Sequence, residues 1–330
     1  MFLMKKLLRR TFLLAILAGA SFMFWAEQPI LADGQAPIEF TIAPGSSLKS
    51  SMQQIDEAGA PVQSLMMVFL AQVTGNSTKL KAGTYELKPG TTPRGLVSQL
   101  VRGEFAQEAL TVIEGWSFKQ MRQAINAHPF LKHDTATLSD QELMAKVSSD
   151  YTKPEGLFYP DTYMFAKNSS DLQIYKQAHS LMLKRLNEAW LARDSTLPYA
   201  SPYDALIMAS IVEKETGRKS ERTMIAGVFV NRLKQGMLLQ TDPTVIYGMG
   251  ENYKGNIRKR DLLTDTPHNT YTRAGLPPTP IALPGVESLH AALNPASTEA
   301  VYFVARGDGS SQFSATLDDH NNAVNKYQRK

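Results

Sequence analysis

The sequence predicts an α+β protein with an N-terminal apolar helix, then a small module of strands and helices, then a larger mixed domain. Three observations predict this architecture. Residues 11–26 carry no charge, a strand–turn–helix pattern then occurs three times, and a long apolar helix later precedes two polar, proline-containing runs. The length of 330 residues and the 43% share of hydrophobic residues suit two modest globular domains.

The excess positive charge of the chain lies at its N-terminus. The formal net charge is +4, and four cations near the start match that excess: Lys5, Lys6, Arg9 and Arg10. The sequence therefore predicts no basic face for nucleic acid.

The chain contains no cysteine, which excludes disulfides and a cysteine nucleophile. It also has no HxxxH pair and no P-loop, so we expect neither a metal nor a cofactor.

Residues 1–10 are predicted to be a cytoplasmic stub, and residues 11–32 a transmembrane anchor with a short linker. Cations before an apolar stretch favour a cytoplasmic N-terminus. The stretch is slightly shorter than a usual span of roughly 17–25 residues, and residues 30–32 resemble a poor signal-peptide cleavage site. Ile30, where cleavage needs a small residue, and Trp25 at the outer boundary favour an uncleaved anchor. The rest of the chain is then expected outside the cytoplasmic membrane.

Three segments align without gaps: Phe40–Ser47, Tyr85–Thr92 and Leu110–Ser117. Each alternates apolar residues, turns at a glycine and ends on a hydroxyl residue, which predicts a strand, a tight turn and a capped helix. Pro61–Val73 between the first two is predicted to be an apolar helix. The resulting strand–helix–helix–strand order resembles the LysM glycan-binding module, and we assign residues 33–126 to this module and a connecting strand–helix unit. A purely structural module is the alternative.

Residues 127–200 contain an aromatic turn and a long helix. The turn, Glu155–Tyr163, places aromatic rings beside carboxylates, an arrangement that suits either sugar binding or simple packing. Apolar residues at helical spacing predict a helix from Leu172 to about Arg193.

Ala205–Gly217 is the predicted centre of the larger domain. It reads as a buried helix, because nearly every position before Glu213 is apolar. Glu213 and Glu215 lie about 200° apart on a helix, so only one of them can face a given partner. Glu215 follows Ile211 and Val212 by one turn, at the negative end of the helix dipole. Burial and the dipole both favour its protonated form, as a general acid requires.

The alternative for these two glutamates is a solvated helix end. In that case their carboxylates pair with nearby cations, of which the sequence offers three: Lys214, Arg218 and Lys219.

Two polar runs follow a predicted helix at Glu221–Lys234. They are Leu239–Gly248 and His268–Pro280, and both are predicted to be loops. Their amide, hydroxyl and phenol groups can bind sugar hydroxyls and N-acetyl groups. Long loops in a compact domain are usually functional. A helix near Leu289, two short strands and a C-terminal helix complete the prediction.

Several segments, in order, resemble the endolytic murein transglycosylase family, which is YceG-like: Ala209–Thr216, Val230–Leu233, Leu239–Gly248, Asn269–Tyr271 and Gly275–Pro278. The resemblance implies a single-span inner-membrane protein with a LysM-like subdomain and a periplasmic catalytic domain, here residues 127–330. It implies that Glu215, the second glutamate of Glu-Lys-Glu, is catalytic. We expect the polar runs to line its cleft with the following side chains: Gln240, Asp242, Tyr247, Asn269 and Tyr271.

The implied reaction cleaves the MurNAc–GlcNAc β-1,4 bond of nascent glycan strands without water and leaves 1,6-anhydroMurNAc ends. One residue can act as acid and then as base, so a second catalytic carboxylate is not required. The expected partners are peptidoglycan glycan strands and the inner membrane, with peptidoglycan synthases as candidates. Two alternatives stay open. One is a membrane-tethered glycan-binding protein without activity, and the other is a muramidase that uses Glu215 and Asp242.

Overall fold

The computed structural model describes residues 2–328, with side chains from residue 4 onwards. Residue 1 of the predicted stub and residues 329–330 of the predicted catalytic domain lie outside the described residues. The chain forms two compact units. Unit 1 comprises the chain up to Glu108 together with Met164–Ser169, and unit 2 comprises Ala109–Tyr163 and the chain from Ser170. The predicted α+β class is confirmed. The functional boundaries assigned from the sequence stay predictions.

Unit 1 begins with a long apolar helix and continues as a strand–helix–helix–strand unit. Its elements are α1 (Phe2–Ala26), β1 (Ile38–Ile42), α2 (Leu48–Glu57), α3 (Ser64–Val73), β2 (Gly83–Leu87) and α4 (Pro93–Arg102). Within α1, Met4–Ala26 is long and apolar enough to cross a membrane, and it is the one such helix in the described part of the chain. β1 pairs antiparallel with β2, and the Phe40 ring stacks on Tyr85 at 5.6 Å.

The rest of the chain contains helices joined by short strands. The elements are β3 (Gln107–Thr111), α5 (Phe118–Ala127), β4 (Leu131–Lys132), α6 (Asp140–Val147), β5 (Thr162–Ala166), β6 (Ser169–Ser170), α7 (Asp171–Leu191), α8 (Pro202–Glu215), α9 (Arg222–Lys234), α10 (Asp242–Met249), α11 (Lys259–Leu263), α12 (Val286–Leu293), β7 (Tyr302–Ala305), β8 (Ser311–Ser314) and α13 (Leu317–Tyr327). The further strand pairs are β3–β5, β4–β6 and β7–β8.

The threefold strand–turn–helix prediction is confirmed. Each predicted cap accepts the backbone N–H of the residue three positions later: Ser47, Thr92 and Ser117. The glycine before each cap has a left-handed backbone, with φ of 79°, 79° and 78°: Gly45, Gly90 and Gly115. Residues that carry a side chain rarely adopt this backbone conformation, so glycine is required at the turn. The LysM-like order of elements is present, whereas glycan binding by this module stays a prediction.

α8 forms the centre of unit 2, as predicted. Ser201 caps it in a reciprocal pair with Asp204, and Pro202 occupies the first helical position, where its missing N–H does no harm. All eight residues from Ala205 to Val212 are buried. α7, α9 and α12 surround this helix, so its apolar side chains are covered on every side. This packing places the glutamates at its last turn in fixed positions.

The first polar run differs from the prediction. The whole run Leu239–Gly248 was expected to be a loop, but α10 begins at Asp242 and continues to Met249. Asp242 and Pro243 occupy its first two positions, where a negative charge meets the positive end of the dipole and a missing N–H is tolerated. Residues 155–161 of the predicted aromatic turn are irregular, as expected, whereas its last two residues, Thr162 and Tyr163, begin β5. Its Phe158 is fully buried against Phe118, so packing explains that ring.

Candidate active site

Glu215 ends α8, and its carboxylate is held by a neighbouring loop. The Thr241 hydroxyl donates a hydrogen bond to Glu215 Oε2 at 2.7 Å. Thr241 is itself fixed, because its backbone N–H donates to the Thr270 hydroxyl at 3.1 Å. The hydroxyls of Thr244 and Thr270 lie 2.8 Å apart, and both residues are buried. This threonine cluster therefore orients the Glu215 carboxylate.

Burial raises the pKa of Glu215, and the negative charge of Asp242 raises it further. The Thr241 hydrogen bond and the positive charge of Arg232 act in the opposite direction without cancelling this effect. The predicted direction is confirmed, since desolvation disfavours the ionised form of a carboxyl group. Glu215 consequently keeps its proton to a higher pH than an exposed glutamate does.

A cleft of about 1180 Å³ opens beside Glu215. This volume exceeds the roughly 300–1,000 Å³ of typical small-molecule pockets, so it suits a chain-like ligand. Gln240, Asp242 and Tyr271 line the cleft together with Glu215, whereas substrate binding by these side chains stays a prediction. The wall contributed by β7, β8 and α13 was not predicted, and its lining includes Tyr302, Ser311, His320 and Asn321.

Buried Arg232 holds the loop that carries Gln240. Its guanidinium donates to the carbonyls of Val301 at 2.7 Å and Leu239 at 2.9 Å. Gln240 has a φ of 49°, a left-handed conformation that is uncommon for residues other than glycine. Its backbone N–H donates to the Thr270 carbonyl at 3.1 Å, which fixes this turn beside Glu215. The only sequence signal for Arg232 was its place in a segment with family resemblance.

Asp242 is engaged by Tyr271. The Tyr271 hydroxyl donates to Asp242 Oδ1 at 2.6 Å. This bond joins the two polar runs across the cleft and orients the Asp242 carboxylate. A second carboxylate is therefore fixed in the same cleft as Glu215.

The structure does not bring Tyr247 and Asn269 to this cleft, which corrects the expectation that they line it. Tyr247 follows Asp242 by five residues, which is about 140° around α10, so it faces away from Asp242. It lines a separate cavity of about 620 Å³. Asn269 is fully buried, and its amide donates to the carbonyls of Leu262 and Thr264 at 3.0 and 2.7 Å. Both residues support the loops rather than the cleft surface.

Glu213 points to a different set of partners. Its Oε1 accepts from Arg222 Nη2 at 3.2 Å, and its Oε2 accepts the backbone N–H of Gly285 at 3.0 Å. The expected cation partners were Lys214, Arg218 and Lys219, but Lys214 instead donates to the Gly115 carbonyl. The alternative of a solvated helix end is therefore wrong for Glu213.

Among the described residues, no cluster of His, Asp and Glu could hold a metal ion.

The chain that forms this cleft is similar in sequence to a known protein family. The sequence profile of the YceG-like family matches residues 40–326, which include Glu215 and every residue that lines the cleft except Gln328. The chain belongs to the YceG-like family.

Relatives whose names state an activity align with most of this YceG-like chain. A Bacillus subtilis protein named endolytic murein transglycosylase is 30% identical over 94% of this chain and 91% of its own length. A Streptococcus pneumoniae D39 protein of the same name is 26% identical over 93% of this chain, which spans 61% of that longer protein. The crystal structure of a protein described as YceG-like from Listeria monocytogenes is 32% identical. It covers 88% of this chain and 99% of its own, with a TM-score of 0.55.

Thr241→Val should move the pH dependence of activity. The Thr241 hydrogen bond stabilises the ionised carboxylate, so its loss raises the pKa of Glu215 further. If protonated Glu215 is the active form, activity falls as pH rises through that pKa. We expect the alkaline limb of kcat/KM against pH to shift to higher pH in the variant. An unchanged limb, or a shift to lower pH, would contradict this role for Thr241.

Glu155 in the second cavity should make stability depend on pH. Burial raises its pKa from 4.5 to about 7, although it accepts hydrogen bonds from the Phe118 N–H at 2.9 Å and the Tyr247 hydroxyl at 3.1 Å. The folded state therefore binds more protons than the unfolded state between these pH values. This contribution to stability is fully present below pH 4.5 and is lost as pH rises to about 7.

Glu155→Gln cannot ionise, so the variant should gain stability relative to the parent chain across that range, by at most about 3 kcal/mol. Urea unfolding of both proteins at a series of pH values measures the difference. A difference that stays constant between pH 4.5 and about 7 would show that Glu155 does not titrate there.

Proposed function

We propose that this YceG-like protein is an endolytic peptidoglycan lytic transglycosylase that cuts within nascent glycan strands and so terminates their elongation. The observation that carries the proposal is a single oriented glutamate with a raised pKa in a cleft large enough for a polymer. The names of the Bacillus subtilis and Streptococcus pneumoniae relatives supply the substrate, murein.

Glu215 can perform both proton transfers of this reaction. In the first step it donates its proton to the glycosidic oxygen, and the bond from MurNAc C1 to that oxygen breaks, leaving its electron pair on GlcNAc O4. In the second step the Glu215 carboxylate takes the proton of the MurNAc 6-hydroxyl, whose oxygen bonds to C1 and closes the 1,6-anhydro ring. The acid is restored and no water is consumed. A raised pKa supplies the protonated form that the first step requires.

Gln240, Asp242 and Tyr271 are the proposed glycan-binding residues. They line the cleft with Glu215, and their amide, carboxylate and phenol groups can bond to sugar hydroxyls and N-acetyl groups. Tyr247 and Asn269, which were expected to bind substrate, are proposed to act by fixing α10 and the second polar run.

The proposed location is the inner membrane, with α1 as a single span. The cations before the apolar stretch favour a cytoplasmic N-terminus, which puts the cleft in the periplasm. Residues 33–126 would then bind glycan and residues 127–330 would cut it. Nascent strands are made at the outer face of this membrane, so peptidoglycan synthases are candidate partners.

Product analysis in heavy-oxygen water tests the proposal. The full chain in detergent is incubated with uncrosslinked glycan strands in H₂¹⁸O, with the Glu215→Gln variant as control, and the fragments are measured by mass spectrometry. Fragments of mixed length with anhydro ends and no ¹⁸O support an endolytic lyase. Reducing ends that contain ¹⁸O indicate a muramidase, for which Asp242 is the candidate second carboxylate. Retention of strands without cleavage indicates a binding protein.

A further inference from the structure

α3 presents a second apolar face that the core of unit 1 does not use. One face of the helix, Met67, Leu70 and Ala71, is buried in that core. The other face carries Leu65, Phe69 and Val73, which are 82%, 52% and 58% exposed. The spacing of four residues aligns these three side chains into a stripe, and the helix contains no charged residue. A helix that is apolar on every side normally has no exposed face in water.

The stripe touches α1 within its apolar span. The ring of Phe69 lies 5.1 Å from the ring of Phe22 in an edge-to-face contact. Phe22 is four residues before the end of the span at Ala26, which corresponds to about 6 Å along the helix axis. The uncharged stretch of residues 11–26 is about 24 Å long and fits within the roughly 30 Å hydrocarbon layer, with its last turn close to the outer edge. Phe22 therefore lies at the boundary of that layer, and Phe69 lies at the same depth.

Unit 1 is fixed to the end of this span without slack. Ala26 is fully buried in the core of unit 1. The backbone N–H of Ile30 donates to the Thr91 carbonyl at 2.8 Å, and the Leu31 carbonyl accepts from Gly90 at 3.2 Å. These bonds hold the linker on the module, so α3 cannot move away from the membrane independently of α1.

Arg94 supplies a cation at the level of the lipid headgroups. Its guanidinium lies 2.7 Å from the Glu27 carboxylate, one residue after the span, and 3.6 Å from the sulfur of Met23. About half of the Arg94 side chain is exposed, so it can also reach a lipid phosphate. Arginines at the ends of spans occupy this interfacial position.

We propose that the stripe of Leu65, Phe69 and Val73 inserts into the outer leaflet of the membrane that α1 crosses. The occupant is the phospholipid interface itself, because the stripe is continuous with the apolar surface of the span. The inference rests on the proposed anchoring by α1. Together, α1 and α3 give unit 1 two contacts with the bilayer, which fixes its orientation at the membrane surface.

Site-specific spin labels test the insertion. The chain has no cysteine, so each introduced cysteine carries a unique nitroxide. The full chain is labelled at Leu65→Cys or Val73→Cys and reconstituted in vesicles of phosphatidylethanolamine and phosphatidylglycerol. Collisions with oxygen, which enters lipid, and with a nickel chelate, which stays in water, report depth. Leu191→Cys, at an exposed apolar position of unit 2, is the matched control, and Ala15→Cys reports the span.

We expect the two stripe labels to lose nickel collisions and gain oxygen collisions in vesicles, whereas the Leu191 label stays accessible to nickel. Equal nickel access at Leu65, Val73 and Leu191 with a protected Ala15 label would overturn the insertion while leaving the anchor intact. Nickel access at Ala15 would overturn the anchoring itself. Spin–spin broadening between stripe labels that disappears on dilution with unlabelled chain would mean that a second copy covers the stripe, which also overturns the proposal.

Discussion

Glu215→Gln should reduce formation of anhydro products by about 10²–10⁴-fold, the usual loss when a general acid–base group is removed. Glutamine keeps the shape of the side chain and can still accept the Thr241 hydrogen bond, so folding and glycan binding should be preserved. The amide can neither donate a proton to the leaving oxygen nor take one from the 6-hydroxyl. The measurement is the rate of product formation by mass spectrometry, together with strand binding by the inactive protein.

Glu213→Gln is the matched control, because it makes the same chemical change two residues away on the same helix. Its side chain contacts Arg222 and Gly285 instead of the cleft. At a temperature where this variant is folded, its turnover should be close to that of the parent chain. A folded but inactive Glu213→Gln variant beside an active Glu215→Gln variant would reverse the two roles.

Local signals explain why the strand–turn–helix units could be predicted from the sequence. A cap residue bonds to an N–H three positions later, and the turn glycine needs a left-handed φ whatever surrounds it. The apolar composition of α8 likewise requires burial. Glu215 could be singled out for the same reason, because its position at the end of a buried helix is a property of one continuous segment.

Contacts between distant segments explain what the sequence did not show. Thr241 reaches Glu215 from 26 residues away, and Tyr247 bonds to Glu155 across 92 residues. The second polar run has the polar composition that is typical of a ligand-binding cleft. Its Asn269 is nevertheless buried, because its amide donates to the carbonyls of Leu262 and Thr264. Polar composition therefore located the functional region but could not distinguish side chains that face the cleft from those that support its loops.

The second large effect should be on stability, at the buried pair of Glu213 and Arg222. Their side chains are only 6% and 7% exposed. Two guanidinium nitrogens of Arg222, Nε and Nη1, have no hydrogen-bond partner within the described part of the chain. Glu213 is therefore the main compensation for a buried positive charge. Removing one partner of such a pair typically costs about 3–5 kcal/mol, because the remaining charge is left in a poorly solvated site.

Glu213→Gln should accordingly lower the free energy of unfolding by about 3–5 kcal/mol, with a fall in Tm of roughly 2–4 °C for each kcal/mol. Burial raises the pKa of Glu114 and the charge of Glu213 raises it further, so this pKa should also fall in the variant, which lacks that charge. Urea unfolding measures the loss, and the double variant Glu213→Gln/Arg222→Met isolates its cause. Without the buried cation, the double variant should be more stable than Glu213→Gln alone. The single variant Arg222→Met completes the comparison. If the loss of stability in the double variant equals the sum of the losses in the two single variants, the pair is not coupled, and the role assigned to Glu213 in unit 2 fails.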